Sequence, residues 1–289
     1  MQLMQMDDYY NSHSFAQRAI PYQDGFIFAS EGDAYQRAFS VSFITPTEDK
    51  MTEEEYEAYY RSHEDQMNYW GEYPAYEPID EARASYTGKE RASVRNYDLF
   101  HFWLKKNKAD DMYIVNNNFA HMGGIAVADN NHVALVGTSA KALDKKAAKQ
   151  RESLFIQIFD PTSDLRNESS YAINSKRAGT SGIMGTDKVT DYGIKWLTDG
   201  KFEVKNPQVV ADHKGRFVVL FEKYSGGRNQ GVFYTIVDKS GKIARKITRF
   251  AGDACLNPCE MPKLSGKTIF WTANKNGYTA LYTFKLKVK

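Results

Sequence analysis

Along the chain, short runs of aliphatic, β-branched and aromatic residues alternate with clusters of Gly, Asp, Asn and Ser. Runs of four to seven residues bounded by turn residues predict strands, since an amphipathic helix needs a 3.6-residue period sustained over a longer window. The runs also repeat as groups. Asn206-Pro-Gln-Val-Val-Ala-Asp-His-Lys-Gly215, followed by Arg-Phe-Val-Val-Leu-Phe221, matches Asn257-Pro-Cys-Glu-Met-Pro-Lys-Leu-Ser-Gly266, followed by Lys-Thr-Ile-Phe-Trp271, at an offset of 51 residues from 206 to 257. Two weaker copies lie upstream. Phe15-Ala-Gln-Arg-Ala-Ile20 leads through Asp24-Gly25 into Phe26-Ile-Phe28, and Phe119-Ala-His-Met122 leads through Asp129-Asn-Asn131 into Val133-Ala-Leu-Val136.

Each of the four units continues into a second β-rich run: Ala38–Ile44, Leu154–Phe159, Val232–Val237 and Ala280–Phe284. A third follows in the first three units, at Leu99–Leu104, Gly193–Leu197 and Ile243–Phe250. Four antiparallel strands per repeat predict an all-β fold, a β-propeller with four recognisable blades in one domain spanning 1–289. The fourth unit ends after its third strand. Gln2-Leu-Met-Gln-Met6 precedes the first unit, where the missing strand belongs, and its addition would close the ring and remove an unpaired edge. The other reading is that the chain is the end of a longer propeller.

Two long excursions interrupt the repeats, at about 46–97 and about 141–192. Thr52-Glu-Glu-Glu has the form of a helix start with a capping box, which predicts a short helix over 53–67. Ala142–Arg151 reads as a solvated helix or hairpin tip, and the Gly- and Ser-rich stretch 178–193 as irregular chain.

The chain has 289 residues, with 38 basic and 36 acidic side chains and a formal net charge of +2. That length is enough to bury a core without disulfide staples. The balanced, interspersed charge leaves no footprint for nucleic acid. No apolar run reaches the roughly 20 residues of a membrane helix, and the first residues lack the basic region and apolar core of a signal peptide. Cys255 and Cys259 form a Cys-Leu-Asn-Pro-Cys pattern that is neither a CxxC pair nor a zinc set, which leaves free thiols or a local disulfide across the turn. No cofactor and no metal site are expected.

Ser12-His-Ser-Phe-Ala-Gln-Arg18, Gly32-Asp-Ala-Tyr-Gln-Arg37, Gly123-Gly-Ile-Ala126, Leu154-Phe-Ile-Gln157, Trp196-Leu-Thr198 and Asn206-Pro207 resemble a group of β-propeller domains from secreted or surface-associated proteins of Gram-positive bacteria. The resemblance spans most of the chain. It implies a propeller fold and an extracellular or cell-surface setting, and no activity.

The candidate chemistry falls into two groups. His13, Arg18, Asp33, Tyr35 and Arg37 form the densest polar cluster of the first unit; they read either as a ligand site at the mouth of a central channel or as a buried polar network. Gln17, His121, Gln208 and Cys259 hold equivalent positions in the four repeats, so the first three could converge near the axis on a water or polar ligand. The second group is aromatic. Tyr69, Trp70, Tyr73 and Tyr76, with Tyr56, Tyr59 and Tyr60 before them, could stack on sugar rings or pack the excursion onto the blades. His101 reads as a core histidine satisfied by a backbone group, and His63, His132 and His213 as surface residues. No GxSxG, HExxH, P-loop or GxGxxG motif is present.

The sequence therefore points to a non-catalytic binding or interaction module outside the cell, its partner a glycan or a protein. A carbohydrate-active enzyme using the channel mouth is the alternative. A structural domain of a multidomain surface protein is a third reading.

Overall fold

The computed structural model describes residues 14–32, 38–50, 52, 54, 90–101, 104–106, 113–115, 120–141, 151–181, 187–275 and 277–286. The first sheet contains β1 (Ser14–Tyr22), β2 (Gly25–Gly32), β3 (Ala38–Lys50) and β4 (Glu90–His101), paired antiparallel in that order. A small ribbon follows, β5 (Leu104–Lys106) with β6 (Tyr113–Val115). The second sheet takes β7 (His121–Asp129), β8 (His132–Ser139) and β9 (Ser153–Phe159). Its fourth strand arrives only after the hairpin β10 (Lys176–Ser181) and β11 (Asp187–Tyr192), as β12 (Ile194–Trp196) beside β9. The third sheet is β13 (Glu203–Ala211), β14 (Phe217–Ser225), β15 (Arg228–Val237) and β16 (Ile243–Arg249). The fourth has three described strands, β17 (Lys263–Ser265), β18 (Thr268–Lys275) and β19 (Tyr278–Lys285). The fold is all-β and built of successive antiparallel sheets.

Hydrophobic cores fill the spaces between consecutive sheets. Ile27, Phe39, Phe43 and Phe100 of the first pack with Leu135, Phe155 and Phe159 of the second, where the Phe100 and Phe155 rings stack at 4.4 Å. Val136, Leu154 and Ile156 meet Val209, Val219 and Phe221 of the third. Val218, Leu220 and Tyr234 in turn meet Ile269, Trp271 and Ala273 of the fourth. This layering explains the strand sequences. β9 is buried along its whole length because both of its faces are covered, so it is apolar without alternation. β18 alternates buried and half-buried positions. The chain before β17 reaches the first sheet, where an Arg18 Nη2 N–H donates to the Pro258 carbonyl and Met261 packs on the first core.

The strands predicted from Phe15 onward are present among the described residues, with three corrections, and the closing strand expected at Gln2–Met6 lies outside them. The excursion expected over 46–97 is shorter, because β3 and β4 continue as a paired ribbon to Lys50 and Glu90; the polar Thr45–Lys50 stretch carries no apolar alternation to announce it. The stretch 178–193, expected to be irregular, is largely the hairpin β10–β11, held by backbone pairing and by a buried ion pair rather than by apolar residues. Asn257 does not begin a strand as Asn206 lies within one. β17 starts only at Lys263, after Pro258 and Pro262, which have no N–H for a ladder. Glu54 is helical, and the rest of the helix expected over 53–67 lies outside the described residues apart from that position. So do 142–150, the predicted solvated tip. No helix among the described residues is long and apolar enough to cross a membrane.

Candidate functional site

A cavity of about 940 Å³ opens where the first strands of the first three sheets and the 258–259 turn meet. Its walls come from the first three sheets and from the turn before the fourth. β1 contributes Gln17 and Arg18, β7 His121, β13 Gln208, and the turn before β17 Cys259. Gln17, His121, Gln208 and Cys259, singled out in the sequence, line one space, the first three from strands and Cys259 from a turn. Backbone geometry makes this possible. β7 bulges at Met122–Ile125 and β13 at Lys205–Gln208, with Asn206 in the left-handed region at φ 51°. The two bulges pack so closely that a Cβ on Gly123 would lie 2.2 Å from the Pro207 carbonyl oxygen, which requires glycine there.

Two carboxylates flank His121. Glu31, at the end of β2, is 5% exposed; its Oε2 accepts the Met122 backbone N–H at 2.7 Å. Glu152, just before β9, accepts a hydrogen bond from the Thr138 hydroxyl at Oε2. Their other oxygens face the imidazole, Glu31 Oε1 at 3.8 Å from Nδ1 and Glu152 Oε1 at 3.7 Å from Nε2. Glu31, and more weakly Glu152, hold the His121 imidazole above the ordinary histidine range against the effect of burial. Burial pushes the Glu152 carboxyl up, opposed by the Thr138 hydroxyl and by His121. Glu203 and Lys205, paired at 3.0 Å, stand on the same wall.

Arg18 and Gln208 both bond to the chain before β17. The Arg18 guanidinium, its pKa lowered by burial, also donates from Nη1 to the Gln17 carbonyl at 2.7 Å. Gln208 is 1% exposed and donates from Nε2 to the Asn257 carbonyl at 3.0 Å. Arg18 Nε and Gln208 Oε1 have no partner among the described residues. His13, Asp33, Tyr35, Arg37 and the aromatic candidates Tyr69, Trp70, Tyr73 and Tyr76 lie outside the described residues. Among those described, no three His, Cys, Asp or Glu side chains are placed to hold a metal ion.

Sequence reasoning missed Glu31 and Glu152. A signal for Glu31 existed: it ends the run Phe26-Ile-Phe-Ala-Ser-Glu31, as Glu222 ends Phe217-Val-Val-Leu-Phe-Glu222. Both are buried acids that accept a backbone N–H from beyond their own sheet, Glu222 that of Leu256 in the chain leading to the fourth sheet at 2.8 Å. Glu152 sits before a strand in a polar stretch and had no such mark.

The remaining histidines divide. His101 is a core residue, but its ring partner is a carboxylate rather than the expected backbone group: Nδ1 lies 2.5 Å from Asp191 Oδ1, on the β10–β11 hairpin. Asp191 Oδ2 also takes Arg177 Nη2 at 2.6 Å, and the guanidinium lies 3.8 Å over the Phe100 ring. His132, expected on the surface, is half-buried with Nδ1 2.7 Å from Asp129. His213 is exposed, and Cys255 and Cys259 are both free thiols. No protein-family model matches the chain, and a search of curated proteins finds no match.

Proposed function

We propose that the chain is a four-bladed β-propeller domain acting as a binding module, with a polar, hydroxyl-rich ligand of the saccharide class seated in the cavity. One observation carries the reading: Gln17, His121, Gln208 and Cys259, equivalent in four repeats, line one space of about 940 Å³. That volume is at the upper end of small-molecule sites. The walls mix acceptors and donors, with acids from the first three units against Arg18, Lys205 and His121, a surface that suits many hydroxyls. Each pair of consecutive sheets shares a core, and Arg18 ties the fourth repeat back to the first, which supports the ring. The resemblance to propeller domains of Gram-positive surface proteins supports an extracellular or cell-surface setting.

The test is a glycan-array and thermal-shift screen on wild type, on His121→Ala/Gln17→Ala and on Tyr69→Ala/Trp70→Ala. A hit lost only in the first variant supports the cavity. A hit lost only in the second moves binding to the aromatic excursion, and no hit with any saccharide removes the reading. A second reading, hydrolysis of a glycosidic bond, is favoured by the two carboxylates that flank His121. It predicts release of reducing sugar from the array's best ligand, lost in Glu152→Gln.

A further inference from the structure

Each of the first three large sheets has a strand laid on the outer side of its third: β4 on β3, β12 on β9 and β16 on β15. β19 has none among the described residues. Burial follows the difference. β9 is buried throughout and β15 over 234–237, but no residue of β19 is buried, and its Tyr278 and Leu281 are 78% and 66% exposed. An open edge of this length, 8 residues, leaves backbone donors and acceptors unpaired and is a template for an added strand.

A groove of about 460 Å³ runs between this edge and the third sheet. Tyr234, Ile236 and Phe250 line it from one side, Phe284 and Leu286 from the other, and the Tyr234 and Phe284 rings meet at 4.6 Å. Arg245, Arg249 and Lys285 also line it, and no acidic residue does. The groove therefore suits a strand with apolar side chains and no positive charge.

Chain direction selects the occupant. In the first three sheets the strand laid on the third is the one after which the chain passes to the first strand of the next sheet, from β4 toward β7, from β12 to β13 and from β16 to β17. By the same rule the strand beside β19 is the one that leads into β1, whose Arg18 reaches Pro258. Residues 1–13 precede β1. A strand over 2–6 leaves seven residues, 7–13, for the passage, against six, 197–202, between β12 and β13. Gln2-Leu-Met-Gln-Met6 contains no Pro, so each residue can supply a ladder N–H. Strand alternation puts Met4 and Met6 on one face, and methionine fills irregular apolar space. Residues 1–13 bring Asp7 and Asp8, and no Lys or Arg, to a groove lined by three basic residues.

We propose that the open edge of β19 is the docking surface for residues 2–6 of the same chain, which add antiparallel as the fourth strand of the last sheet. The proposal rests on the four-bladed reading above and deepens it by naming the surface and its occupant. β1 carries Gln17 and Arg18 to the ligand cavity, so the docked strand anchors the chain that leads into one cavity wall.

The experiment is nuclear magnetic resonance on the intact chain with labelled Met methyl groups, together with amide exchange over 278–285. Docking predicts Overhauser contacts from the Met4 or Met6 methyl to the Phe250 or Phe284 ring, and between the amides of 2–6 and those of β19. Met4→Pro removes one ladder N–H; it should erase these contacts and speed exchange over 278–285 by at least roughly tenfold. If that variant does not fold, the contacts in the intact chain decide. Absence of contact between 2–6 and β19, or unchanged exchange in a folded Met4→Pro, overturns the proposal. Contacts that arise only between differently labelled copies in a mixed sample assign the edge to a second chain and overturn it as well. The Met261 methyl reads the ring separately, through its packing on the first core. If those contacts persist while 2–6 touches nothing on β19, the four-bladed reading stands without the proposal; if they too are missing, that reading falls.

Discussion

Glu31 Oε2 accepts the Met122 backbone N–H at 2.7 Å, so a buried carboxylate from the second strand of the first sheet holds the first strand of the second. Glu222 does the same for Leu256, at 2.8 Å, between the third sheet and the chain leading to the fourth. Both acids end an apolar run within their strand, and both accept a backbone N–H from beyond their own sheet. A charge-assisted hydrogen bond of this kind contributes about 1.5–3 kcal/mol, and its loss strands a buried N–H. Glu31→Ala and Glu222→Ala should therefore each lower stability by about 2–3 kcal/mol in urea unfolding. A loss under about 0.5 kcal/mol, the range of an ordinary surface substitution, would show that neither tie matters.

The buried pair Asp191 and Arg177 fastens the β10–β11 hairpin to the end of β4, where Asp191 also meets His101. Asp191→Ala leaves the Arg177 guanidinium without its carboxylate in a buried position, at a cost of about 3–5 kcal/mol. The combined change Arg177→Met/Asp191→Leu should cost less, because no charge is left buried. Limited proteolysis reads the same event: the single variant should be cut faster within 176–192. Equal cutting of the single and combined variants would contradict the role given to the ion pair.

Gly123→Ala should be among the most disruptive small substitutions in the chain. Its Cβ would meet the Pro207 carbonyl oxygen at 2.2 Å, and backbone cannot move aside without separating β7 from β13. A loss of about 1–3 kcal/mol or more is expected. Gly32→Ala is the control, since no described residue lies within 4 Å of a Cβ there. Thermal unfolding of the two variants should separate them clearly, and matched melting temperatures would refute the close approach.

His121 and Glu152 set a pH dependence with a defined sign. A histidine whose pKa is raised by folding stabilises the fold fully below its unfolded value of about 6.5, and that contribution is lost as pH rises through the folded value. Glu152 is also raised, so its ionisation costs the folded state more than the unfolded one, and this penalty grows as pH climbs above the ordinary glutamate value of 4.5. Both effects remove stability as pH rises. The melting temperature should fall from about pH 6 to about pH 8, and His121→Gln should flatten that slope. An unchanged slope in the variant would place the pH dependence elsewhere.

Strand positions were legible in the sequence because turn residues such as Asp238-Lys-Ser-Gly241 bound runs that have no helical period. Gln17, His121 and Gln208, matched in the sequence, do line one cavity, but Cys259 joins them from a turn before β17 and not from a first strand. What the sequence hid was tertiary. Asp191 finds His101 across 90 residues, and Glu152 finds His121 only because β8 brings Thr138 alongside both. The β10–β11 hairpin was hidden because Lys176–Ser181 offers no alternating apolar residues, and its stability comes from Arg177 and the ladder.

The central claim is that residues of four repeats form one ligand site. Its most direct test is chemical-shift mapping of the isotope-labelled chain with the tightest saccharide of the array. The account predicts that perturbations concentrate on Gln17, Glu31, His121, Gln208 and Cys259, and that His121→Ala abolishes them. Perturbations confined to the 51–89 stretch, or persisting unchanged in His121→Ala, would contradict it.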